Sequence, residues 1–383
     1  MMEPEIIQRF LESVGQKADV DLYLKLFRSQ KKESFAIISA DAQIVKSALD
    51  PFHFDLRILN GLGLTPVVLL GLDGAREVDK QALRVQEWLV EDAVPARIVS
   101  SGAGMTPEAL DAVRATIAEG AIPLLSLEAA KDTNADGRVK MLSTLAASLA
   151  ARRVIFLSRG AGLGPRQSPP LSVVNLGIDY DALVTGNALS RRQTTLLRQV
   201  KQLLEQVPHR MSVAVVNPLH LLRELFTVTG AGTLIRRGSR IDTRVGWTDV
   251  DQARLRALFH SAFGKVLRAD FFETPVERTY IEEGYLGAGV IRETPVGVYL
   301  TKFAVERQAQ GEGIGGEIWS MMVRDYPSFF WRARPTNPIN PWYIKQCDGM
   351  SRFGDWIVYW RGMAIDRIDP AIRYALSEPT DLR

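Results

Sequence analysis

The 383 residues predict an α/β chain in two parts, a mainly parallel sheet sandwiched by helices followed by an α+β domain. Three observations predict it. Short apolar runs alternate with helical segments from Ser34 to about Arg240; beyond that point the alternation stops and mixed strands with few helices follow. The length also exceeds what one hydrophobic core usually supports.

The elements can be taken in order. Ile6, Ile7, Phe10, Leu11 and Val14, then Leu22, Leu24 and Phe27, recur near helical spacing and predict two short amphipathic helices parted at Gly15. The strand runs are FAIIS, TPVVLLG from Thr65, ARIVS after Pro95, AIPLLSL from Ala121, RRVIFLS from Arg152 and SVAVVN from Ser212. Between them lie helices such as AREVDKQALRVQEWLVED and RVKMLSTLAASLAA, and TPEALDAVRATIAEG with Thr106 as cap and Gly120 as stop. Runs that are apolar throughout suit a parallel sheet covered on both faces.

After GTLIRRGSRIDTRVGW a new helix, WTDVDQARLRALFHSAFG, is expected to start at Thr248 or Asp249. The domain boundary is placed near Ile241, which divides the chain into an N-terminal helical segment over 1–30, a domain over 31–241 and a second domain over 242–383. The second domain reads as a hairpin in RTYIEEGYLGAGVIRET, strand VGVYLTKFAVE, a glycine-rich loop and helix IGGEIWSMMVRDY stopped by Pro327. Strand SFFWRAR, helix PWYIKQCD and strand DWIVYWRGM follow.

Bulk chemistry excludes several classes of function. Forty-seven basic against 44 acidic residues leave +3, with no single-sign block to suggest a nucleic-acid or membrane partner. Cys347 is the single cysteine, so no intrachain disulfide and no cysteine-built metal site is expected. His53, His209, His220 and His260 are scattered without metal-ligand spacing. An N-terminus with early acids and no long apolar run does not read as a signal peptide, and a cytoplasmic location is expected.

Two motifs carry chemistry. Strand VGVYLTKFAVE runs into Gln310-Gly311-Glu312-Gly313-Ile314-Gly315, where a helix begins. Such a turn aims several backbone N–H groups at one point, and the helix dipole favours an anion there. The glycines alone suit a diphosphate seat and a flexible loop equally. The second motif is WRARPTNPINPWY, residues 331–343. Arg332 and Arg334 point to one face of a strand, so two guanidinium forks can meet two carboxylates, although an unplaced RAR also suits a solvated edge. Asn340 reads as a helix N-cap, Pro341 as the first helical residue and Gly349 as the stop.

The first motif resembles the Q/R-x-x-G-x-G/A signature of the GNAT acetyltransferases, which grips the diphosphate of acetyl-CoA between a strand and the following helix. By that resemblance SFFWRAR diverges from VGVYLTKFAVE and the pantetheine arm lies in the gap. Phe303, Ala304, Val305, Gln310, Gly311, Gly313, Ile314 and Gly315 are then the coenzyme-binding residues, with the Phe303 and Ala304 N–H groups as oxyanion donors.

The run WRARPTNPINPWYIKQCDG, with SAFGKVLRADF, VYLTKFAVE, QGEGIGG and DWIVYWRG, further resembles N-acetylglutamate synthases that fuse an amino-acid-kinase domain to this module. Bifunctional synthase/kinases are among them. The likeness spans about 244–370 and implies an enzyme that acetylates the α-amino group of L-glutamate in arginine biosynthesis. It implies that Lys265, Arg332 and Arg334 hold the carboxylates, that Asn337 orients the amine, and that Tyr299 and Tyr343 lie near the reacting atoms. Tyr343 suits protonation of the departing thiolate, yet either tyrosine also suits plain packing. No acid or histidine stands out as base, so water is expected to take the amine proton; no metal is implied.

Residues 34–240 resemble an acetylglutamate-kinase-like domain, clearest in NADGRVKMLSTLAASLAARRVIFLSRGAGL and ELFTVTGAGTLIRRG. A working kinase of that family has a lysine and paired glycines after its first strand and a second loop of the HGxGP kind. Here the first stretch reads Ile38-Ser39-Ala40-Asp41-Ala42 and the second Leu70-Gly71-Leu72-Asp73-Gly74. Aspartates repel phosphate, so this domain is expected to be catalytically inactive, with Asp136 a remnant or a cap. The resemblance implies homo-oligomerisation, dimer or tetramer, through this domain, and an arginine effector between the segment Ile6 to Val14 and the GAGTLI loop at 230–235. Alternatives are a bifunctional synthase/kinase, a GNAT enzyme for another amine, and a non-catalytic arginine-sensing partner of a separate acetylglutamate kinase.

Overall fold

The computed structural model describes residues 15, 17–28, 31–165, 168–227, 230–306, 309 and 313–382. The helix expected over Ile6 to Val14 lies outside them. The chain divides into two compact units, Met1–Gly238 and Ser239–Arg383.

The first unit opens with α1 (Lys17–Arg28), β1 (Ile37–Ala40), α2 (Ala42–Ser47), α3 (Leu49–Gly61) and β2 (Val67–Leu70). It continues through α4 (Val78–Glu91), β3 (Ala96–Ser100), α5 (Pro107–Ala118), β4 (Ile122–Ser126), α6 (Ala135–Ser148) and β5 (Arg153–Leu157). Then come β6 (Val173–Asn175), α7 (Tyr180–Thr185), α8 (Arg191–Gln206), β7 (Ser212–Val216), α9 (Leu221–Phe226) and β8 (Thr233–Arg236). The six apolar runs become β1 to β5 and β7, joined in the order β3-β4-β2-β1-β5-β7-β8-β6, all parallel until β8 reverses against β7. Helix starts follow local chemistry. The Thr106 hydroxyl accepts from the Ala109 N–H at α5, and Ser190 and Gln193 form a capping box at α8. β6 and β8 are strands that the apolar pattern did not announce.

The second unit holds β9 (Ile241–Val245), α10 (Gln252–Phe263), β10 (Arg278–Glu282), β11 (Gly287–Thr294), β12 (Gly297–Val305) and α11 (Ile314–Asp325). β13 (Phe329–Ala333), α12 (Asn340–Gln346), β14 (Gly349–Phe353), β15 (Trp356–Arg361) and α13 (Ile365–Ser377) complete it. Its sheet runs β14-β15-β13-β12-β11-β10-β9. One face buries Phe303, Trp319, Trp331, Tyr343 and Tyr359 under α11 and α12; the other is covered by α10 and α13. α11 comes close because β11 presents glycine beneath it. A Cβ on Gly289 would lie 2.4 Å from the Met322 sulfur.

Three local expectations are corrected. α10 is capped by Asp251, whose carboxylate accepts from the Ala253 and Arg254 N–H groups. Asp249 sits at φ 55°, outside the extended region an N-cap needs. α12 begins at Asn340, whose side chain does not cap it, so Pro341 is its second residue. Gly349 opens edge strand β14 rather than ending that helix; a Cβ there would sit 2.5 Å from the Trp360 ring.

Gly232 tests the packing of the first unit, since a Cβ there meets the Val215 carbonyl oxygen at 2.2 Å and backbone cannot rotate aside. Gly232→Ala is expected to cost about 1–3 kcal/mol in chemical denaturation. Gly74→Ala, with nothing within 4 Å, is the near-neutral control.

Candidate active site

The site begins with one extra residue. β12 pairs with β11 along its whole length, but Leu300 stands opposite Ile291 and Lys302 opposite Val290, which leaves Thr301 as a bulge. On its other edge β12 pairs with β13 only at Tyr299↔Phe330 and Leu300↔Trp331. A bulge bends its strand and sharpens the twist, so the two parallel strands part where the bulge falls. The divergence expected from the resemblance is thus present, with a local cause. The extra residue also puts Leu300 and Phe303 on the same face although they are three apart.

Beyond the split, main-chain groups of β12 lack a strand partner. The Glu306 N–H donates to the Leu286 carbonyl at 2.8 Å, which sets the phase of the antiparallel ladder. Alternation then turns the Lys302 and Ala304 amides toward β11 and the Phe303 and Val305 amides toward the open side. The Ala304 N–H, expected as an oxyanion donor, is thus committed to the ladder, whereas the Phe303 N–H faces the open side.

α11 starts against this edge. Gly313 precedes it in the left-handed region (φ 80°), without a side-chain cap, so the first-turn amides of Ile314, Gly315 and Gly316 have no intrahelical acceptor. Gly315 packs closely against this edge: a Cβ would lie 3.2 Å from Val305 Cγ2 and touch the Phe303 ring at 3.5 Å. The acid in this first turn, Glu317, accepts from the Ser239 N–H at 3.2 Å. Uncapped amides at a helix start attract an anion. Gln310 and Gly311 lie outside the described residues.

On the face under α11 and α12, Tyr343 is buried among aromatic rings, with centroids at 5.5 Å from Trp331 and Tyr359, 5.7 Å from Trp342 and 6.3 Å from Phe303. Burial holds its hydroxyl well above the usual tyrosine range, and Tyr359 adds to the effect, so the group keeps its proton. Trp319 Nε1, Trp331 Nε1, Tyr359 Oη and Asn340 Oδ1 are buried nearby without a partner among the described atoms. The Asn340 amide instead donates to the Arg334 and Pro335 carbonyls at 2.9 and 3.1 Å, which shapes the TNPIN loop. Asn337, half-buried, accepts from the Ile339 N–H at 3.3 Å through its side-chain oxygen.

Tyr299 lies on the opposite face, in the closed part of the strand pair, with ring centroids 5.0 Å from Phe330 and 6.0 Å from Tyr374. Burial raises its pKa above the ordinary tyrosine range as well. Arg332 and Arg334 do share a face, and both guanidinium groups stack on Trp356 at 4.0 Å. Both are expected to hold carboxylates, and Arg332 is already engaged within the protein. It donates to the Ala375, Glu378 and Pro379 carbonyls at 2.5–2.8 Å, which ties it to the end of α13. Arg334 pairs with the exposed Asp355 at 3.0 Å, a surface contact that another carboxylate can exchange with little loss. Lys265 is exposed in the turn after α10. Sequence reasoning missed the half-buried Arg292 and the buried Lys302 on this face; a lysine inside the apolar run VGVYLTKFAV was the available signal.

In the first unit, the two aspartates of the degenerate loops share one partner. Arg192 donates to Asp41 at 2.6 Å and to Asp73 at 3.3 Å, while Asp41 also caps α2 through the Ile44 N–H. Asp136 is exposed in the first turn of α6, which Asn134 caps. In the GAGTLI loop the buried Glu224 carboxylate accepts from the Ala231 and Gly232 N–H groups at 2.7 and 3.1 Å. Among the described residues no helix is long and apolar enough to cross a membrane.

Comparisons with known proteins fit this geometry. The family model described as NAT, N-acetyltransferase, of N-acetylglutamate synthase matches residues 241–377. Mouse mitochondrial N-acetylglutamate synthase is 30% identical over 94% of this chain and 76% of its own length, and the human protein is 30% identical over 94% and 75%. A protein named acetylglutamate kinase from Xanthomonas campestris is 29% identical over 90% of this chain and 94% of itself. Among solved structures, N-acetylglutamate synthase from Neisseria gonorrhoeae complexed with coenzyme A and N-acetyl-glutamate aligns with a TM-score of 0.53 at 15% identity. That alignment covers 90% of this chain and 97% of the other, a likeness of fold.

The loop geometry yields a test. Asn340→Ala removes two hydrogen bonds, leaving the Arg334 carbonyl only the Asn337 N–H, and is expected to lower stability by about 1–3 kcal/mol, whereas Asn337→Ala, which removes one half-buried side-chain contact, costs less. Urea titration of both variants measures the difference.

Proposed function

This chain belongs to the N-acetylglutamate synthase family, and from that premise we propose how its residues move acetyl from acetyl-CoA to the α-amino group of L-glutamate. The observation that carries the reading is the unpaired edge of β12 running into the uncapped start of α11. The first-turn amides of Ile314, Gly315 and Gly316, with the glycine-rich stretch from Gln310 to Gly313, receive the diphosphate. The Phe303 and Val305 main-chain groups receive the pantetheine amides as a missing strand would, and the Phe303 N–H donates to the carbonyl oxygen as it becomes an oxyanion.

The amine attacks the thioester carbon, the C–S bond breaks, and the Tyr343 hydroxyl gives its proton to the leaving thiolate. Desolvation keeps the Tyr343 hydroxyl protonated in the resting site, so a proton is present there to be given. Asn337 orients the amine, whose proton leaves through water. Arg334 and Lys265 hold the acceptor's carboxylates, with Arg332 joining when its donors are released. Tyr299 positions Phe330 at the root of the split rather than touching substrate.

The relatives named acetylglutamate kinase raise a second reading, a bifunctional enzyme. Against it stands the Asp41–Arg192–Asp73 bridge, which sets two carboxylates in the loops that the resemblance gives to ATP phosphates. We infer a kinase-like unit that does not phosphorylate but supports assembly as a dimer or tetramer and binds an arginine effector at the 230–235 loop. The gonococcal synthase, solved also with coenzyme A and L-arginine, supports that effector. A cytoplasmic location belongs to the same reading, although the mouse and human relatives are mitochondrial by name.

Thiol release from acetyl-CoA with each amino acid in turn tests the function: glutamate is expected to exceed the others by a wide margin. Tyr343→Phe should lower kcat about 100-fold or more, and Arg334→Ala should raise the glutamate KM about tenfold. Full activity in both variants would overturn these assignments. Incubation with ATP and N-acetylglutamate is expected to yield no ADP, and its appearance would restore the bifunctional alternative.

A further inference from the structure

We propose that the segment Glu378–Leu382 is an internal occupant of the acceptor pocket, with the Glu378 and Asp381 carboxylates held by Arg292 and Lys302, the cations that a dicarboxylic amino acid takes over on binding. This rests on the glutamate reading above and adds two binding residues and a displaceable strap to it.

Lys302 directly follows the bulge and is 9% exposed, on a strand that is otherwise apolar; its ammonium donates to the Asp381 carboxylate and to the Thr301 carbonyl at 3.2 Å. Arg292, opposite Tyr299 on β11, is paired with the Glu378 carboxylate and donates to the Tyr374 hydroxyl at 3.1 Å. Arg332, the third cation of this face, spends its donors on the Ala375, Glu378 and Pro379 carbonyls. One short stretch of chain therefore engages all three. A small opening lined by Arg268, Phe271, Arg292, Glu378, Pro379 and Asp381 lies beside them.

Stability alone does not call for these charges, because a buried ion pair is often matched or bettered by apolar residues of similar volume. Cations kept at the root of the strand split are explained by a carboxylate that comes and goes. The strap is built to leave. Pro379 and Thr380 are exposed, and the described contacts that fasten it are mostly polar: ion pairs, carbonyls accepting from Arg332, the Arg268 N–H to Asp381 carbonyl bond at 2.9 Å and a bridge between Leu267 and Leu382. A glutamate molecule carries the same two carboxylates, and displacement of the strap would also release Arg332.

An occupant that must be expelled raises the apparent KM by the reciprocal of the fraction of time the pocket stands free. In the full chain, the double variant Glu378→Gln, Asp381→Asn is expected to lower the glutamate KM about three- to tenfold while leaving the acetyl-CoA KM unchanged. A glutamate KM that is unchanged or higher overturns the proposal. Should loss of Asp381 unfold the protein by stranding Lys302, hydrogen exchange of the unaltered protein decides. Saturating glutamate should speed exchange across 378–382, and unchanged or slower exchange refutes the strap. If glutamate drives thiol release while the strap stays protected, only this inference fails; if glutamate drives none, the functional reading fails first.

Discussion

The second unit depends on a single irregularity, the bulge at Thr301. An unbroken β12 would stay paired with β13 and present no free main chain. With the bulge, pairing stops after Leu300 and Trp331, and the Phe303 and Val305 amides face an open edge. In a sheet interior such groups would cost free energy; here they form a template for an extended ligand. The same residue shifts Phe303 onto the face of Tyr343, so one local event both opens the cleft and places aromatic packing against it.

The two sides of the split offer an anion different physics. On the α11 side attraction for an anion comes from peptide dipoles, and the acid of the first turn is turned aside to the Ser239 N–H. On the α13 side it comes from full charges, Arg292, Lys302, Arg332 and Arg334, two of them stacked on Trp356. Backbone amides suit a diffuse diphosphate; guanidinium forks suit planar carboxylates. Buried Tyr343, its proton retained by desolvation, lies on the opposite face of the sheet from Arg332. The groups assigned to acid catalysis and to carboxylate binding thus approach the split from opposite faces.

In the first unit the loop aspartates are neutralised from within the fold. Asp41 and Asp73 do not face each other unneutralised, because Arg192 lies between them. Glu224 likewise fills the turn at Ala231 and Gly232 with a carboxylate of the protein's own. In both places a carboxylate of the protein's own is answered by the protein's own donors, and the unit keeps its core around them.

How much was legible follows from the range over which each feature is determined. Six parallel-sheet strands, the long helices and the glycine turn before α11 are local patterns of burial and backbone freedom, and the sequence by itself determined them. It also determined the likeness to acetyltransferases, because residues 310–315 and 331–343 are contiguous. Caps were misread where a backbone angle decided among neighbouring candidates, as with Asp249 and Asp251. Only the tertiary structure decided that Thr301 bulges, that Ala304 and not Phe303 spends its amide on β11, and that Arg332 is tied to carbonyls some forty residues away. Those facts depend on which strand or segment lies alongside, and a linear pattern carries no record of what a polar group will meet across a sheet.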